Sequence, residues 1–131
     1  MTRARSFTIA TDEPKPLGGG DSAIDPMELL LATLGSCMQI GWVTQARLRG
    51  IELRRLEIKV RGGYDLRGYL NLDQTVRPGF GGLDYTVEVE ADADPAVLAA
   101  IRKAVERGSP MFDNIAHATA IKGDVKVLNV A

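Results

Sequence analysis

Two side chains of this sequence stand out because each is the only one of its type. Cys37 is the only cysteine and His117 the only histidine among 131 residues. A disulfide within the chain needs two cysteines, and a metal centre built on cysteine or histidine needs several such ligands. The sequence therefore excludes both arrangements, and it predicts no bound cofactor. Cys37 remains as the candidate nucleophile.

The segment around Cys37 allows two interpretations of this thiol. It is apolar, with Gly35 and Ser36 before the cysteine and Met38 after it. A buried thiol in such surroundings packs as a small hydrophobic side chain. A reactive thiol instead needs activation by a nearby basic side chain or by a helix N-terminus. Because Cys37 falls in the middle of a predicted helix, only a basic residue from elsewhere in the fold can activate it.

Two other sequence patterns fit known catalytic or cofactor-binding motifs only in part. Ser109, Asp113 and His117 fall in line along one helix face, an arrangement that rarely lets a base reach the nucleophile while an acid orients that base. The spacing Gly18-x-Gly20-x-x-Ala23 formally fits a dinucleotide-binding fingerprint, but its helix would begin only at Asp25. We interpret Ser109 as a helix cap, His117 as a surface or partly buried residue, and 18–23 as a flexible loop.

Composition and charge place the chain among ordinary globular proteins. It is 45% hydrophobic and 25% charged, with a formal net charge of −1, which argues against disorder and against a general attraction to nucleic acid or anionic membranes. Residues 47–61 are mostly basic and residues 84–94 acidic, so the two stretches are expected to offset each other across a sheet. We expect one domain over residues 1–131, no nucleic-acid or membrane partner and, without a recognisable signal peptide, a cytoplasmic location.

One long helix is expected to position Cys37. Asp25 can cap its start, Pro26 fits its first position and Glu28 completes a capping box, while Gly50 predicts its end. The segment from 29 to 46 carries no charge, which is long enough to consider a membrane span, but its interspersed polar residues favour a buried core helix. About 100 other residues cannot cover such a helix on all sides, so we expect an intimate homodimer to bury it.

The remaining segments predict an α+β domain with a mostly antiparallel sheet. Strands are predicted where apolar residues alternate with polar ones, and helices where they recur at helical spacing after a capping residue. The predicted strands are Arg3–Thr11, Leu53–Gly62, Leu83–Glu90 and Ala120–Val130, and the further helices run from Asp94 to Gly108 and from Ser109 to about His117.

At this point the sequence resembles a known family. Residues Asp25 to Cys37 resemble the segment, with a proline, a Glu-Leu-Leu run and an alanine before a cysteine, that opens the central helix of the OsmC/Ohr proteins, the osmotically induced and organic-hydroperoxide-resistance proteins. Gly108-Ser109-Pro110 is similar to the family's C-P motif, and the resemblance covers about residues 20–130. It implies an intertwined α+β homodimer in which mostly antiparallel sheets wrap around the long central hydrophobic helices.

The resemblance also implies thiol peroxidase chemistry. In the active family members a first cysteine, matching Cys37, attacks the peroxide and becomes a sulfenic acid. A second cysteine in the C-P motif condenses with it into a disulfide, which an external dithiol reduces. An arginine and a glutamate at the dimer interface orient and activate the first cysteine in the best-studied branch.

This sequence departs from the family pattern at those supporting positions. Ser109 stands where the family has its second cysteine, and a hydroxyl group cannot form the disulfide. The family's carboxylate falls on Met27, and Glu28 is one position further along the helix. The family's arginine usually comes from the N-terminal strands, where Arg3 and Arg5 are both candidates.

Three functions therefore stay open. The first is a one-cysteine reductase of organic hydroperoxides, in which an external thiol resolves the Cys37 sulfenic acid and Met27, Met38, Trp42 or Phe112 lines an apolar cleft. The second is a non-catalytic dimeric module that binds an apolar small molecule. The third is an oxidant sensor that uses Cys37. The first and third need a reactive Cys37, whereas the second would survive its replacement by serine.

Overall fold

The chain folds into two small antiparallel sheets and several helices, described by a computed structural model over residues 1–128. The α+β class predicted from the sequence is confirmed. The elements are β1 (Thr2–Ala4), β2 (Phe7–Ile9), α1 (Pro26–Leu48), β3 (Leu53–Gly62), α2 (Leu66–Tyr69), β4 (Leu83–Ala91), α3 (Pro95–Gly108) and α4 (Pro110–Ala116), with a short 3-10 turn at Lys15–Leu17.

Helix α1 begins and ends where the sequence predicted. The Asp25 carboxylate accepts the Glu28 backbone N–H at 2.8 Å, and the Glu28 carboxylate accepts the Asp25 N–H at 3.2 Å, which completes the capping box. At the other end, Gly50 adopts a positive φ of 67° that favours glycine. The 23 residues between these ends form a rod of roughly 35 Å, which spans the domain.

One face of α1 forms the core. Its residues at four-residue spacing, Leu34, Met38, Trp42 and Ala46, are buried together with Ile101 and Val105 of α3. The β3–β4 sheet packs against this cluster through its inward-facing residues, including Ile58, Val60, Tyr85 and Val87. Burial of these apolar surfaces holds α1, the sheet and α3 together.

The opposite face of α1 is not covered by its own chain. Ile40 is 68% exposed, and at the C-terminal end of the helix Leu48 is 74% exposed. The sequence predicted such exposure, because a small domain cannot cover a long uncharged helix on all sides. Within residues 1–128, none of the helices combines the length and the hydropathy that crossing a bilayer requires.

The two ends of the chain differ from the sequence-based prediction. Instead of one strand from Arg3 to Thr11, β1 and β2 form a hairpin that turns at Arg5 and Ser6, and Ala4 pairs with Phe7. The predicted final strand was wrong over Ala120–Leu128, where the chain has no strand, while Asn129 and Val130 lie outside the described residues. A strand needs a hydrogen-bonding neighbour, and this stretch has none within residues 1–128, since Ile121 and Val125 are 93% and 82% exposed.

The predicted pairing of basic and acidic stretches across a sheet is confirmed. Strands β3 and β4 are antiparallel, and their outward side chains form ion pairs across the ladder. These pairs are Arg54–Glu90, Arg55–Glu88, Lys59–Glu88 and Arg61–Asp84. Because all are solvent-exposed, each contributes little to stability, and the face is a mixed-charge surface rather than a basic one.

Candidate functional site

The centre of the site is a contact between Cys37 and Ser109. The Cys37 Sγ atom lies 3.2 Å from the Ser109 Oγ atom, although the two residues are 72 positions apart. Cys37 is in the middle of α1 and half-buried, whereas Ser109 joins α3 to α4 and is only 6% exposed. The fold thus brings together the thiol and the residue at the family's second-cysteine position.

Ser109 has a structural function besides this contact. Its Oγ accepts the backbone N–H of Phe112 at 3.2 Å and thereby caps α4, as the sequence predicted. Accepting this bond uses one lone pair and leaves the hydroxyl hydrogen available. A thiolate has no hydrogen to donate, so in that form of Cys37 the hydroxyl must donate to the sulfur. In the thiolate form of Cys37 the hydrogen bond therefore runs from Ser109 to the sulfur, whereas in the thiol form either group can donate.

Close packing of α1 against α3 makes this contact possible. A side chain at Gly41 would bring its Cβ within 3.1 Å of a Val105 methyl group. Glycine lets the two helices approach at this level, one turn from Cys37. The chain then leaves α3 at Gly108, and Ser109 arrives beside the sulfur.

Cys37 opens into a small cavity of about 330 Å³. Its wall comes from α1, α3 and the α3–α4 junction, and the other lining residues are Ile40, Gly41, Thr44, Gln45, Ala104, Val105, Gly108, Ser109 and Pro110. None of these side chains is charged. The basic residue that thiol activation requires is therefore not supplied at this cavity by the described residues of one chain.

The predicted arginines lie on the N-terminal hairpin. Arg5 stacks over the Phe7 ring at 5.2 Å from its centroid, and both Arg3 and Arg5 are exposed. Over residues 1–128, the hairpin packs against no other helix or strand of the chain. Glu28, the predicted carboxylate, is engaged in the capping box of α1. The fold of one chain thus brings none of these three side chains into the cavity of Cys37.

The four predicted cleft residues divide into two pairs. Met38 and Trp42 do not line the cavity of Cys37; they lie in the core, at 0% and 2% exposure. The reason is helical spacing, because Met38 is rotated by about 100° from Cys37 toward the sheet. Met27 and Phe112 instead line a second, larger cavity of about 540 Å³.

This second cavity lies between the first half of α1, the start of β4 and α4. Most of its lining is apolar or glycine, and Arg77 is its one charged residue. The complete lining is Met27, Leu30, Leu34, Arg77, Gly79, Phe80, Gly81, Gly82, Leu83, Tyr85, Phe112, Asn114, Ile115 and Ala116. Sequence reasoning missed Arg77. Its only local signal is its place in an Arg-Pro-Gly-Phe-Gly-Gly loop without an acidic neighbour.

Tyr85 borders this cavity with a hydroxyl that is already engaged. It donates to the Glu106 carboxylate on α3. Burial, and then the hydrogen bond to Glu106, raise the pKa of Tyr85 to about 12. Tyr85 is therefore a neutral wall residue at physiological pH.

Ser109, Asp113 and His117 do not form a hydrolytic site. His117 Nδ1 lies 3.1 Å from an Asp113 carboxylate oxygen, but both side chains are about three-quarters exposed on the outer side of α4. Ser109 contacts Cys37 instead. Within residues 1–128, no three His, Cys, Asp or Glu side chains are grouped so that they could hold a metal ion.

Known proteins resemble this chain in sequence and in fold. The sequence profile of the family described as OsmC-like protein matches residues 18–123. No curated protein sequence matches the chain. Among solved structures, the OsmC-like protein from Mycoplasma pneumoniae superposes with a TM-score of 0.74 at 16% identity, covering 88% of this chain and 77% of that one.

A second solved structure is the organic hydroperoxide resistance protein OsmC from Legionella pneumophila. It superposes with a TM-score of 0.59 at 17% identity, covering 84% of this chain and 74% of that one. At such identities the structural likeness establishes the fold. The family profile, however, spans most of the chain and includes both Cys37 and Ser109. This protein therefore belongs to the OsmC-like family.

Proposed function

We propose that this protein reduces organic hydroperoxides with Cys37 as its single redox-active thiol. The observation that carries the proposal is the 3.2 Å contact between Cys37 Sγ and Ser109 Oγ at the edge of a cavity. It places a half-buried thiol with a hydrogen-bond donor where a small molecule can reach it. Family membership supports the same chemistry, because relatives of this fold are named for hydroperoxide resistance.

The proposed cycle has three balanced steps. The Cys37 thiolate attacks the terminal peroxide oxygen, the O–O bond breaks, and a proton completes the released alcohol while the cysteine becomes a sulfenic acid. An external thiol then condenses with the sulfenic acid, which releases water and leaves a mixed disulfide. A second external thiol reduces this disulfide and regenerates Cys37. One hydroperoxide thus consumes two thiols and yields one alcohol, one disulfide and one water.

The external thiol replaces the function that a second cysteine has elsewhere in the family. Ser109 occupies that position, and a serine hydroxyl cannot form a disulfide. In this cycle Ser109 donates a hydrogen bond to the sulfur and stabilises its anionic form. A low-molecular-weight thiol can serve as the reductant, which fits a cytoplasmic location, where the thiol pool is kept reduced.

The protein acts as a homodimer in this proposal. Three features of the single chain support it: the uncovered and uncharged face of α1 around Ile40, the hairpin β1–β2 that packs on no other helix or strand of the described residues, and the exposed apolar side chains within 121–128. In the dimer the outer faces of α1 are buried against each other, and the terminal segments pack on the second copy. Such burial removes a large apolar patch from water.

A dimer also supplies the basic group that the cavity of Cys37 lacks. Arg3 and Arg5 lie on the hairpin, which is free to reach a second copy. One guanidinium beside the sulfur favours the thiolate and orients the peroxide. The apolar wall around Cys37, with Ile40, Val105 and Pro110, favours an alkyl hydroperoxide over hydrogen peroxide.

The experiment treats the reduced protein with one equivalent of an alkyl hydroperoxide or of hydrogen peroxide, and traps sulfenic acid with a dimedone reagent. Intact-mass analysis then gives the modified fraction over time, with Cys37→Ser as the control. We expect rapid modification that is faster with the alkyl hydroperoxide and absent in the variant. Arg3→Ala and Arg5→Ala, measured in parallel, identify the arginine that assists.

Modification no faster than that of a free thiol in solution would contradict the proposal. Cys37 would then be a packing residue, and the fold would serve binding. Modification without turnover, measured with several thiol reductants, would instead identify Cys37 as an oxidant sensor. Both outcomes are distinguishable from a peroxidase, which consumes hydroperoxide and thiol continuously.

A further inference from the structure

The larger cavity contains a feature that the chemistry of Cys37 does not use. Arg77 lies on its rim, exposed, while the interior is lined by apolar side chains such as Leu30, Phe80 and Phe112. In the part of the chain that the structure describes, Arg77 makes no ion pair, whereas Arg54, Arg55 and Arg61 on β3 all do. The larger cavity therefore has an apolar interior and one unpaired cation, Arg77, at its entrance.

Two other polar side chains border this cavity, and each makes a hydrogen bond within the chain. The Tyr85 hydroxyl donates to Glu106, and the Asn114 side-chain oxygen accepts the Thr119 hydroxyl. Among residues 1–128, no carboxylate lines the cavity. A ligand in this place consequently meets apolar surface inside and a single positive charge at the entrance.

We propose that this cavity binds a medium-chain carboxylic acid, with the hydrocarbon chain among the apolar side chains and the carboxylate on Arg77. The guanidinium offers two parallel N–H donors that match the two oxygens of a carboxylate. A volume of about 540 Å³ lies within the range of cavities that hold small molecules. The single positive charge of Arg77 neutralises the one negative charge of a carboxylate. It would leave one charge of a doubly charged phosphate unneutralised.

This binding site does not rest on the proposed function of Cys37. Its lining does not include Cys37, and binding requires no redox step. The two sites are nevertheless neighbours, because the Phe112 backbone N–H donates to Ser109 Oγ, which contacts Cys37. A molecule in the cavity therefore packs against the residue that caps α4 beside the thiol.

The experiment measures binding of decanoate to the purified full chain by isothermal titration calorimetry. Decanol, which has the same chain without the charge, and acetate, which has the charge without the chain, are the matched ligands. Arg77→Gln removes the cation, and Arg107→Gln makes the same charge change on α3, at a residue that lines neither cavity. Repeating the decanoate titration with Cys37→Ser separates this site from the thiol.

We expect saturable decanoate binding that Arg77→Gln weakens by about fivefold or more, as for loss of a charge-assisted pair. Arg107→Gln and Cys37→Ser should bind decanoate as the unchanged protein does, and decanol should bind equally to all four proteins. Acetate should not bind. Loss of peroxide reactivity with intact decanoate binding would overturn only the proposed function.

Three results would overturn the inference. The first is equal affinity for decanoate in the Arg77→Gln variant and the unchanged protein. The second is decanol binding more tightly than decanoate, which would mean that the cation does not contribute. The third is no decanoate binding at all, as expected if a terminal segment of a second copy fills the cavity.

Discussion

The Cys37 thiol and the Ser109 hydroxyl are in hydrogen-bond contact, with 3.2 Å between Sγ and Oγ. The same hydroxyl oxygen accepts the Phe112 N–H and so fixes the start of α4. One serine thus links the candidate nucleophile to α4, the helix that contributes to the wall of the larger cavity. Substitutions at Ser109 should change both the chemistry of the thiol and the stability of α4, and the two effects can be separated.

Replacing Ser109 with cysteine should create a disulfide. A sulfur atom in the place of Oγ is already close to Cys37, and a disulfide needs the two sulfurs about 2.05 Å apart. We expect the Ser109→Cys variant to lose two hydrogens in intact-mass analysis after mild oxidation and to regain them with a reductant. Ser109→Cys combined with Cys37→Ser is the control and should form no internal bond. Persistence of two free thiols in the oxidised variant would refute the contact.

Removing the Ser109 hydroxyl should slow the reaction of Cys37 with iodoacetamide. A hydrogen bond to a charged group contributes about 1.5–3 kcal/mol, so its loss lowers the thiolate fraction by about tenfold or more. Because the remaining thiolate is more nucleophilic, we expect the alkylation rate to fall by roughly tenfold in Ser109→Ala and in Ser109→Gly. The two variants differ in stability, because loss of an N-cap to alanine costs about 1 kcal/mol and to glycine only a few tenths. Urea unfolding measures that difference. Unchanged alkylation in both variants would leave Ser109 as a cap alone.

A charge on the outer face of α1 should separate the proposed dimer. Ile40→Lys introduces a cation into an uncharged face, at a side chain that is 68% exposed in one chain, and burying it against a second copy costs more than the apolar contact gains. We expect light scattering to give a dimer for the unchanged protein and a monomer for the variant. Val97→Lys, on the exposed side of α3, should remain dimeric. A monomeric mass for the unchanged protein would end the dimer proposal.

Stability should fall in alkaline solution through Tyr85. Its pKa rises from 10.0 to about 12 in the folded chain, first through burial and then through its hydrogen bond to Glu106. The raised pKa means that the neutral Tyr85 phenol favours the folded state. This contribution to stability is complete below pH 10 and is lost between about pH 10 and 12, where the phenol ionises in the unfolded chain before it does so in the folded one. Urea midpoints measured across that range should decline less steeply for Tyr85→Phe. If the urea midpoints of the two proteins fell equally steeply with pH, Tyr85 would not be the source of the alkaline destabilisation.

Glu28 should prove to be a capping residue rather than a catalytic one. Its carboxylate accepts the Asp25 N–H at the start of α1, and glutamine can accept the same bond. We therefore expect Glu28→Gln to change neither the rate of sulfenic acid formation nor the stability by more than about 0.5 kcal/mol. Asp25→Ala, which removes the N-cap itself, should cost about 1 kcal/mol. A large loss of peroxide reactivity in Glu28→Gln would restore the catalytic role.

The sequence by itself determined the features that depend on neighbouring residues. The capping box at Asp25 and Glu28, the helix end at Gly50 and the cap at Ser109 are all confirmed. Each results from backbone conformation and hydrogen bonds within a few positions, so the local residue types are sufficient to predict it. The alternation in β3 and β4 likewise predicted which of their faces is buried.

The tertiary structure decided everything that depends on long-range packing. It brought Ser109 to Cys37, turned Met38 and Trp42 into the core, and set Arg77 at the mouth of an apolar cavity. It also left 120–128 without a strand, since pairing requires a neighbour that alternation alone cannot supply. Residues far apart in sequence meet only when the helices and the sheet pack together. The hydrophobic effect that drives this packing is non-directional, so a local sequence pattern does not show which distant residues will meet.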